Sequence, residues 1–298
     1  MKKVIGIDIG GTKILGGVIG SNGDLIKFKE TSTDANLGRN HILKKLFGVL
    51  DDLFDADIEG IGIGSAGRID FNTGEVIYAT DNLPGWTGIN LKEIISQKYK
   101  TKTIVENDVN AAIIGENWVG SAKNYRDILM ITLGTGVGGA IILDGRLIRG
   151  SHFSAAEIGH TILYPDGKSC NCGQNGCAEQ YISGTAIYKR YNELAGSNMV
   201  NSAKDVFDLF IKNDEISKLV LDEFIKSLSL LIFNIRNFID PEIIILGGGV
   251  TNSKDLWWEY LKSQIKCDIN ISIAGLNNFS TVYGAAKLIL NEGGNLSD

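Results

Sequence analysis

The sequence predicts a duplicated α/β fold, and three observations carry that reading. Strand-like apolar runs alternate with segments whose apolar residues recur at helical spacing, as in proteins that layer helices on a sheet. The order strand, glycine turn, strand, hairpin turn over residues 7–26 returns at nearly the same length over residues 131–148. A later strand-like run, 242–246, ends in Gly247-Gly248-Gly249 and echoes the earlier run ending in Gly62-Ile63-Gly64. Two such copies facing each other would enclose a cleft, a common place for a ligand.

Taken in order, residues 4–9 and 14–19 are short, apolar and β-branched, and read as strands. Asn22-Gly23 is a hairpin signal leading into a third strand at 25–29. Residues 40–54 read as a helix, with Ile42, Leu43, Leu46, Phe47, Leu50 and Leu53 at helical spacing. A strand at 60–64, a helix at 91–99 and a strand at 103–106 follow. Asn107-Asp108 then opens a helix at 109–118. The long stretch 216–239 predicts a core helix whose apolar face carries Leu219, Val220, Leu228, Leu231, Ile232, Ile235 and Phe238. Cys267 reads as a core or neutral residue in a helical stretch. The expected division is a smaller lobe over 1–118, with a helix near 281–291 packing back on it, and a larger lobe over 119–298 that holds a metal-binding loop at 157–179.

The chain has 298 residues, 44% hydrophobic and 21% charged, which is enough for two ordinary globular lobes. Its formal net charge is −6, and no segment gathers Lys and Arg, so neither nucleic acid nor a membrane surface is an expected partner. Lys2 and Lys3 precede an apolar run, but Asp8 interrupts it at once, so the segment reads as a first strand and not a signal peptide. No stretch reaches the roughly 18 uncharged apolar residues of a membrane span. Three of the four cysteines fall within eight residues, which points to metal before disulfide and to a cytoplasmic protein.

Three constellations carry chemistry. Asp8-Ile9-Gly10-Gly11-Thr12-Lys13 and Gly134-Thr135-Gly136-Val137-Gly138-Gly139 lack bulky side chains where strands turn. Backbone N–H groups there can approach phosphate oxygens, Thr12 and Thr135 can add hydroxyl donors, and Asp8 could hold hydrated Mg²⁺. The competing reading is two ordinary hairpin turns. Glu106-Asn107-Asp108 follows a strand and opens a helix, so Asp108 can act as the base that takes a hydroxyl proton in phosphoryl transfer, with Asn107 beside it for a sugar hydroxyl. The competing reading is that Asp108 merely caps the helix. Lastly, His160 with Cys170, Cys172 and Cys177 makes the Cys₃His set of a structural zinc site, with Gly173 and Gly176 letting a short loop wrap the ion. Three unrelated buried thiols is the alternative.

These motifs together resemble the ROK family of repressors and sugar kinases: Asp8-x-Gly10-Gly11-Thr12-Lys13, Asn107-Asp108, Gly134-Thr135-Gly136, and Glu157-x-Gly159-His160 before Cys170-x-Cys172 and Cys177. The resemblance implies an actin-like (ribonuclease H-like) two-lobed ATPase fold with an interlobe cleft. It implies ATP with Mg²⁺ on the two glycine loops, Gly248 near the adenosine, and Asp108 as catalytic base. Asn82, Asn107, Glu157, His160 and Glu179 would contact sugar hydroxyls, with one nitrogen of His160 on the zinc and the other turned to the sugar. Family members also suggest a homodimer or a dimer of dimers. One segment departs from the glucokinase-like pattern: Ser65-Ala66-Gly67-Arg68-Ile69-Asp70 lacks the Pro expected before the Gly. Its Gly67-Arg68 pair resembles N-acetylmannosamine kinases, whereas Asn82-Leu83-Pro84-Gly85-Trp86 resembles glucokinases; Arg68 reads equally as a solvated loop residue. The expected activity is therefore ATP-dependent phosphorylation of a hexose at its 6-hydroxyl, with an N-acetylmannosamine or N-acetylglucosamine kinase and a non-catalytic sugar-binding regulator as alternatives. Regulators of this family carry a helix-turn-helix domain before the first glycine loop, and here Asp8 arrives within ten residues of Met1.

Overall fold

The computed structural model describes residues 2–291. The first third of the chain forms β1 (Lys3–Ile9), β2 (Lys13–Gly20), β3 (Leu25–Ser32), α1 (Arg39–Leu53), β4 (Ile58–Ser65), β5 (Arg68–Asp70), β6 (Glu75–Tyr78), α2 (Leu91–Tyr99), β7 (Lys102–Asn107) and α3 (Asp108–Val119). The rest forms β8 (Ile128–Leu133), β9 (Val137–Leu143), β10 (Arg146–Leu147), α4 (Glu179–Ile182), α5 (Gly184–Ala195), α6 (Ala203–Ile211), α7 (Glu215–Ile239), β11 (Ile243–Gly247), α8 (Trp258–Gln264), β12 (Asn270–Ile273) and α9 (Ser280–Leu290). The chain divides into two compact units. Among the described residues, one holds 2–128, Ala140–Ala155 and 274–291, and the other holds Leu129–Gly139 and Ala156–Ile273.

Two five-stranded sheets share one topology. The first has the order β3-β2-β1-β4-β7 and the second β10-β9-β8-β11-β12. Counted from its own first strand, each reads third, second, first, fourth, fifth. In the first sheet β1, β2 and β3 are antiparallel neighbours, while β4 and β7 continue parallel to β1. This repeated order is the actin-like, two-lobed α/β architecture. Asn22-Gly23 makes the tight turn between β2 and β3, with Gly23 at φ +90°, a value that favours glycine.

Side-chain alternation along β1 divides the first unit's core. Ile5, Ile7 and Ile9 join Ile42, Leu46, Val49, Leu50 and Leu53 of α1 in one cluster. Val4, on the opposite face, joins Val282, Ala286 and Ile289 of α9 in another. Glycine admits α9 to that face. A Cβ on Gly6 would lie 1.9 Å from the Val282 carbonyl oxygen, and one on Gly62 would lie 1.8 Å from that of Ala285. The segment entering α9 is tied to α3 by Glu116, which is wholly buried. Its carboxylate accepts hydrogen bonds from the backbone N–H of Ser121 (2.8 Å), Gly275 (2.9 Å) and Leu276 (2.9 Å) and from the Ser280 hydroxyl (2.7 Å).

Two expectations need correction. On α7 the buried stripe runs through Val220, Leu221, Phe224, Ile225, Leu228, Leu231, Ile232 and Ile235. Leu219 falls beside that stripe and is 57% exposed, and Phe238, in the last turn, is 90% exposed. Cys267 lies at a half-buried bend, because α8 ends three residues earlier at Gln264. Among the described residues no helix is long and apolar enough to cross a membrane.

Candidate functional site

In the first unit, the candidate residues gather at the ends of β1, β4 and β7. Parallel strands that end together bring their following loops together, so topology alone assembles this group. Gly10 N–H donates to the Lys13 carbonyl at 3.0 Å, closing the β1–β2 turn. Thr33 clamps the turn, donating its hydroxyl to Gly10 O at 2.7 Å and its N–H to Thr12 O at 2.9 Å. Gly11 and Thr12 are exposed. Lys13 extends to Glu30 on the neighbouring strand, at 2.9 Å. Asn82 lies against the turn, since a Cβ on Gly11 would come within 3.2 Å of its carbonyl oxygen. The loop bearing Asn82 is anchored by the buried Trp86, whose indole N–H donates to Ser65 Oγ at 3.0 Å. Arg39 also holds it, donating to the carbonyls of Gly85 and Thr87.

Asn107, not Asp108, caps α3. Its Oδ1 accepts from the N–H groups of Val109 (2.9 Å) and Asn110 (3.0 Å), and its Nδ2 donates to the Gly67 carbonyl (2.9 Å) and to Asp108 Oδ1 (2.9 Å). Asp108 therefore sits at the first helical position, half-buried, with Oδ1 also accepting from Val109 N–H at 3.0 Å. Burial and, after it, the nearby Asp108 charge push the Asp8 carboxyl up to about 8, with Lys13 partly offsetting them. Two carboxylates in one partly desolvated place suit a divalent cation, which would relieve their repulsion. Gly67 adopts φ +108°, and next to it Arg68 Nη1 donates to Ser154 Oγ at 3.3 Å. Arg68 Nε is buried with no hydrogen-bond partner among the described residues.

Sequence reasoning missed the support beneath this turn. Glu106, almost wholly buried, accepts from Asn107 N–H (2.9 Å), Asn110 Nδ2 (3.0 Å) and Arg149 Nε (2.6 Å). The Arg149 guanidinium also lies 3.7 Å over the Phe71 ring. Arg149 stands 43 residues from its carboxylate, so no local pattern points to the pair.

The second unit holds the other group. Gly134 N–H donates to Gly136 O at 3.0 Å, and Gly134 O accepts from Gly184 N–H at 2.7 Å. A Cβ on Gly134 would meet open space, and Thr135 is exposed, so this turn leaves room for a ligand. Gly248 has φ +86° and lies against the end of β8, 2.5 Å from Leu133 O to where its Cβ would stand. Glu157 and His160 are exposed at either end of a short helical turn. Glu179, at the start of α4, accepts from Val137 N–H at 2.9 Å.

His160, Cys170, Cys172 and Cys177 offer ligand atoms that all lie within 4.8 Å of one another. His160 Nδ1 is 3.6 Å from Cys170 Sγ, and the sulfurs of Cys172 and Cys177 are 3.5 Å apart. Thiolates at about 2.3 Å from a tetrahedral zinc stand roughly 3.8 Å from one another, so the set fits that ion. The thiols also show what a metal would change. Burial pushes Cys177 up to about 12, while a backbone N–H from Gln174 draws Cys172 down; a coordinated zinc holds both as thiolates. Gln180 Nε2 reaches Cys170 Sγ at 3.6 Å.

The family model described as "ROK family" matches residues 4–292. A glucokinase from Thermotoga maritima is 31% identical, the match covering 96% of this chain and 97% of that protein. Among solved structures, a ROK family glucokinase from Streptomyces griseus in complex with glucose and AMPPNP aligns with TM-score 0.83 and 29% identity, over 96% of this chain and 98% of that one. A Listeria monocytogenes protein, proposed to be an N-acetylmannosamine kinase, aligns with TM-score 0.86 and 26% identity, over 97% and 98%. With both sheets, both glycine turns and the Cys₃His cluster in place, this chain belongs to the ROK family.

Proposed function

We propose that the protein is an ATP-dependent sugar kinase that phosphorylates a hexose at its 6-hydroxyl, with glucose the first candidate. The observation that carries this is the Asn107-Asp108 turn. The asparagine does the capping, and so the aspartate is held at the helix start by neighbours rather than committed as the cap. The glucokinase relatives, one of them seen with glucose and an ATP analogue, support sugar phosphorylation from ATP.

In this reading Asp108 accepts the proton of the sugar hydroxyl as that oxygen attacks the γ-phosphorus in line. Asn107, Asn82, Glu157, His160 and Glu179 orient the sugar by its hydroxyls, carboxylates and amides being able to accept from and donate to vicinal pairs. Backbone N–H groups of the turns at 10–13 and 134–136 cradle the phosphates, and Gly248 leaves room beside the adenosine. Asp8 is the carboxylate placed to hold hydrated Mg²⁺, which when bound neutralises phosphate charge. Zinc on His160, Cys170, Cys172 and Cys177 would supply rigidity alone, fixing the ring of His160 so that Nε2 can meet the sugar.

Arg68 favours a second reading, an N-acetylhexosamine kinase. Its buried, unpartnered Nε beside Gly67 is a donor suited to an acyl carbonyl, and the Listeria neighbour points the same way. The test is ADP release with Mg-ATP against glucose, mannose, fructose, N-acetylglucosamine and N-acetylmannosamine, with Asp108→Asn alongside. Turnover on one hexose that falls about 10²–10⁴-fold in the variant supports the reading; near-normal turnover in Asp108→Asn removes that base. No turnover on any sugar, with the protein folded and zinc bound, refutes the kinase assignment.

A further inference from the structure

Glu179 stands two residues after Cys177, yet its carboxylate reaches into the glycine turn that leads from β8 to β9. Oε2 accepts the Val137 N–H at 2.9 Å. A carboxylate on a backbone N–H is among the stronger hydrogen bonds available to a protein. The same oxygen occupies the space above Gly136, where a Cβ would approach it to 2.4 Å. The segment bearing Glu157 and His160 rests on the same strand start. A Cβ on Gly159 would lie 2.4 Å from Val137 O, and one on Gly139 would lie 2.4 Å from Ala156 O. Val137 is thus gripped on its N–H side by Glu179 and on its carbonyl side by the turn that carries His160.

We infer that Glu179 is a shared positioning residue, tying the phosphate-binding turn at 134–137 to the sugar-binding edge of the zinc loop, so that hexose and nucleotide are coupled through one carboxylate. The inference rests on the functional reading above, in which Glu179 takes a sugar hydroxyl. An ionised carboxylate has about four lone-pair sites, enough for a backbone N–H and a hydroxyl together. A hexose that fixes the carboxylate also fixes Val137 N–H, and with it the turn whose neighbouring N–H groups face the phosphates. By linkage the effect is reciprocal: a nucleotide that orders the turn holds Glu179 ready for the sugar.

Gly136→Ala tests this from the nucleotide side. Gly136 does not adopt positive φ, so alanine fits its backbone, and the atom its methyl meets is the free end of a flexible side chain. The variant should therefore fold, with the Glu179 carboxylate pushed aside. Assayed with the hexose that the wild-type protein phosphorylates fastest, it should raise the hexose KM about tenfold, the loss expected for one charged hydrogen bond. A change confined to the ATP KM would overturn the coupling. In a Glu179→Gln background, adding Gly136→Ala should shift the hexose KM by less than about twofold, because both act on one group; a full additive increase would also overturn it. Calorimetric titration of AMPPNP with and without that hexose gives the direct readout. The ratio of the two affinities should depart from one in the wild-type protein and return toward one in Gly136→Ala, and a wild-type ratio of one refutes the inference. If the wild-type protein phosphorylates no hexose, it is the functional reading that fails. If it turns over normally and the double variant is additive, that reading stands and only the coupling is lost.

Discussion

Asp8 shows how burying a single carboxyl makes stability depend on pH. Its carboxyl is raised from 3.8 to about 8, first by burial and then by the charge of Asp108. Between those two pH values the folded chain binds a proton that the unfolded chain has released, so the contribution of this group to stability falls as pH rises through that window. Below it both states are protonated and the contribution is unchanged. Asp8→Asn should therefore raise the Tm of metal-free protein at pH 8 by roughly 2–4 °C, with the gain fading toward pH 4, while turnover is lost. Scanning calorimetry in EDTA across that range checks it; a variant less stable than wild type at pH 8 contradicts it. Residue identities also set the limit of what sequence alone revealed. The grouping of His160 with three cysteines was legible from their spacing, and the place of Asp108 at a helix start from the strand before it. The cap on α3 belongs to Asn107, a choice that depends on χ angles, and Arg149 pairs with Glu106 across 43 residues.

At the level of elements, pattern spoke clearly where apolar residues repeat. The helix expected at 91–99 spans Leu91–Tyr99, and that expected at 216–239 spans Glu215–Ile239. Pattern was weaker where chain geometry is set by polar contacts. The loop carrying Asn82 owes its path to Trp86, Ser65 and Arg39, none of which is periodic with it. The loop bearing the Cys₃His cluster is the strongest such case. It has almost no regular structure, being held by isolated bridges Ile162↔Cys177 and Ser169↔Asn175 and by Tyr181, whose hydroxyl accepts Lys168 N–H at 2.8 Å. Removing one ligand should therefore loosen His160 and Glu179 together. Cys172→Ser is expected to lose bound zinc, measured by plasma emission spectrometry, and to raise the hexose KM at least about tenfold. Zinc content equal to wild type would dismiss Cys172 as a ligand.

For the molecule as a whole, charge bears on the choice between the enzyme reading and the regulatory one. Some members of the ROK family are regulators. A net charge of −6, with no segment rich in Lys and Arg, is unlike the basic surfaces that release counterions from a duplex. Fluorescence anisotropy should detect no binding of duplex DNA at physiological ionic strength; binding that weakens steeply with salt would reopen the regulator. The duplication itself was readable, because two hairpins with matching glycine turns sit at matching places, and both sheets have the same strand order. What the sequence could not announce is the reach of Glu116, which binds Gly275 and Leu276 about 160 positions away.

That reach has a consequence for the order of synthesis. Strands β1 and β4 are made well before α9, the helix that covers the face they share. Until then Gly6 and Gly62 present bare strand backbone, Glu116 lacks three of its four donors, and the nascent first unit has only its α1 face closed. A ribosome paused anywhere between residues 130 and 275 would hold a half-finished sheet with an open apolar side. Until α9 is made, that apolar side stays open to water, the kind of surface that chaperones shield.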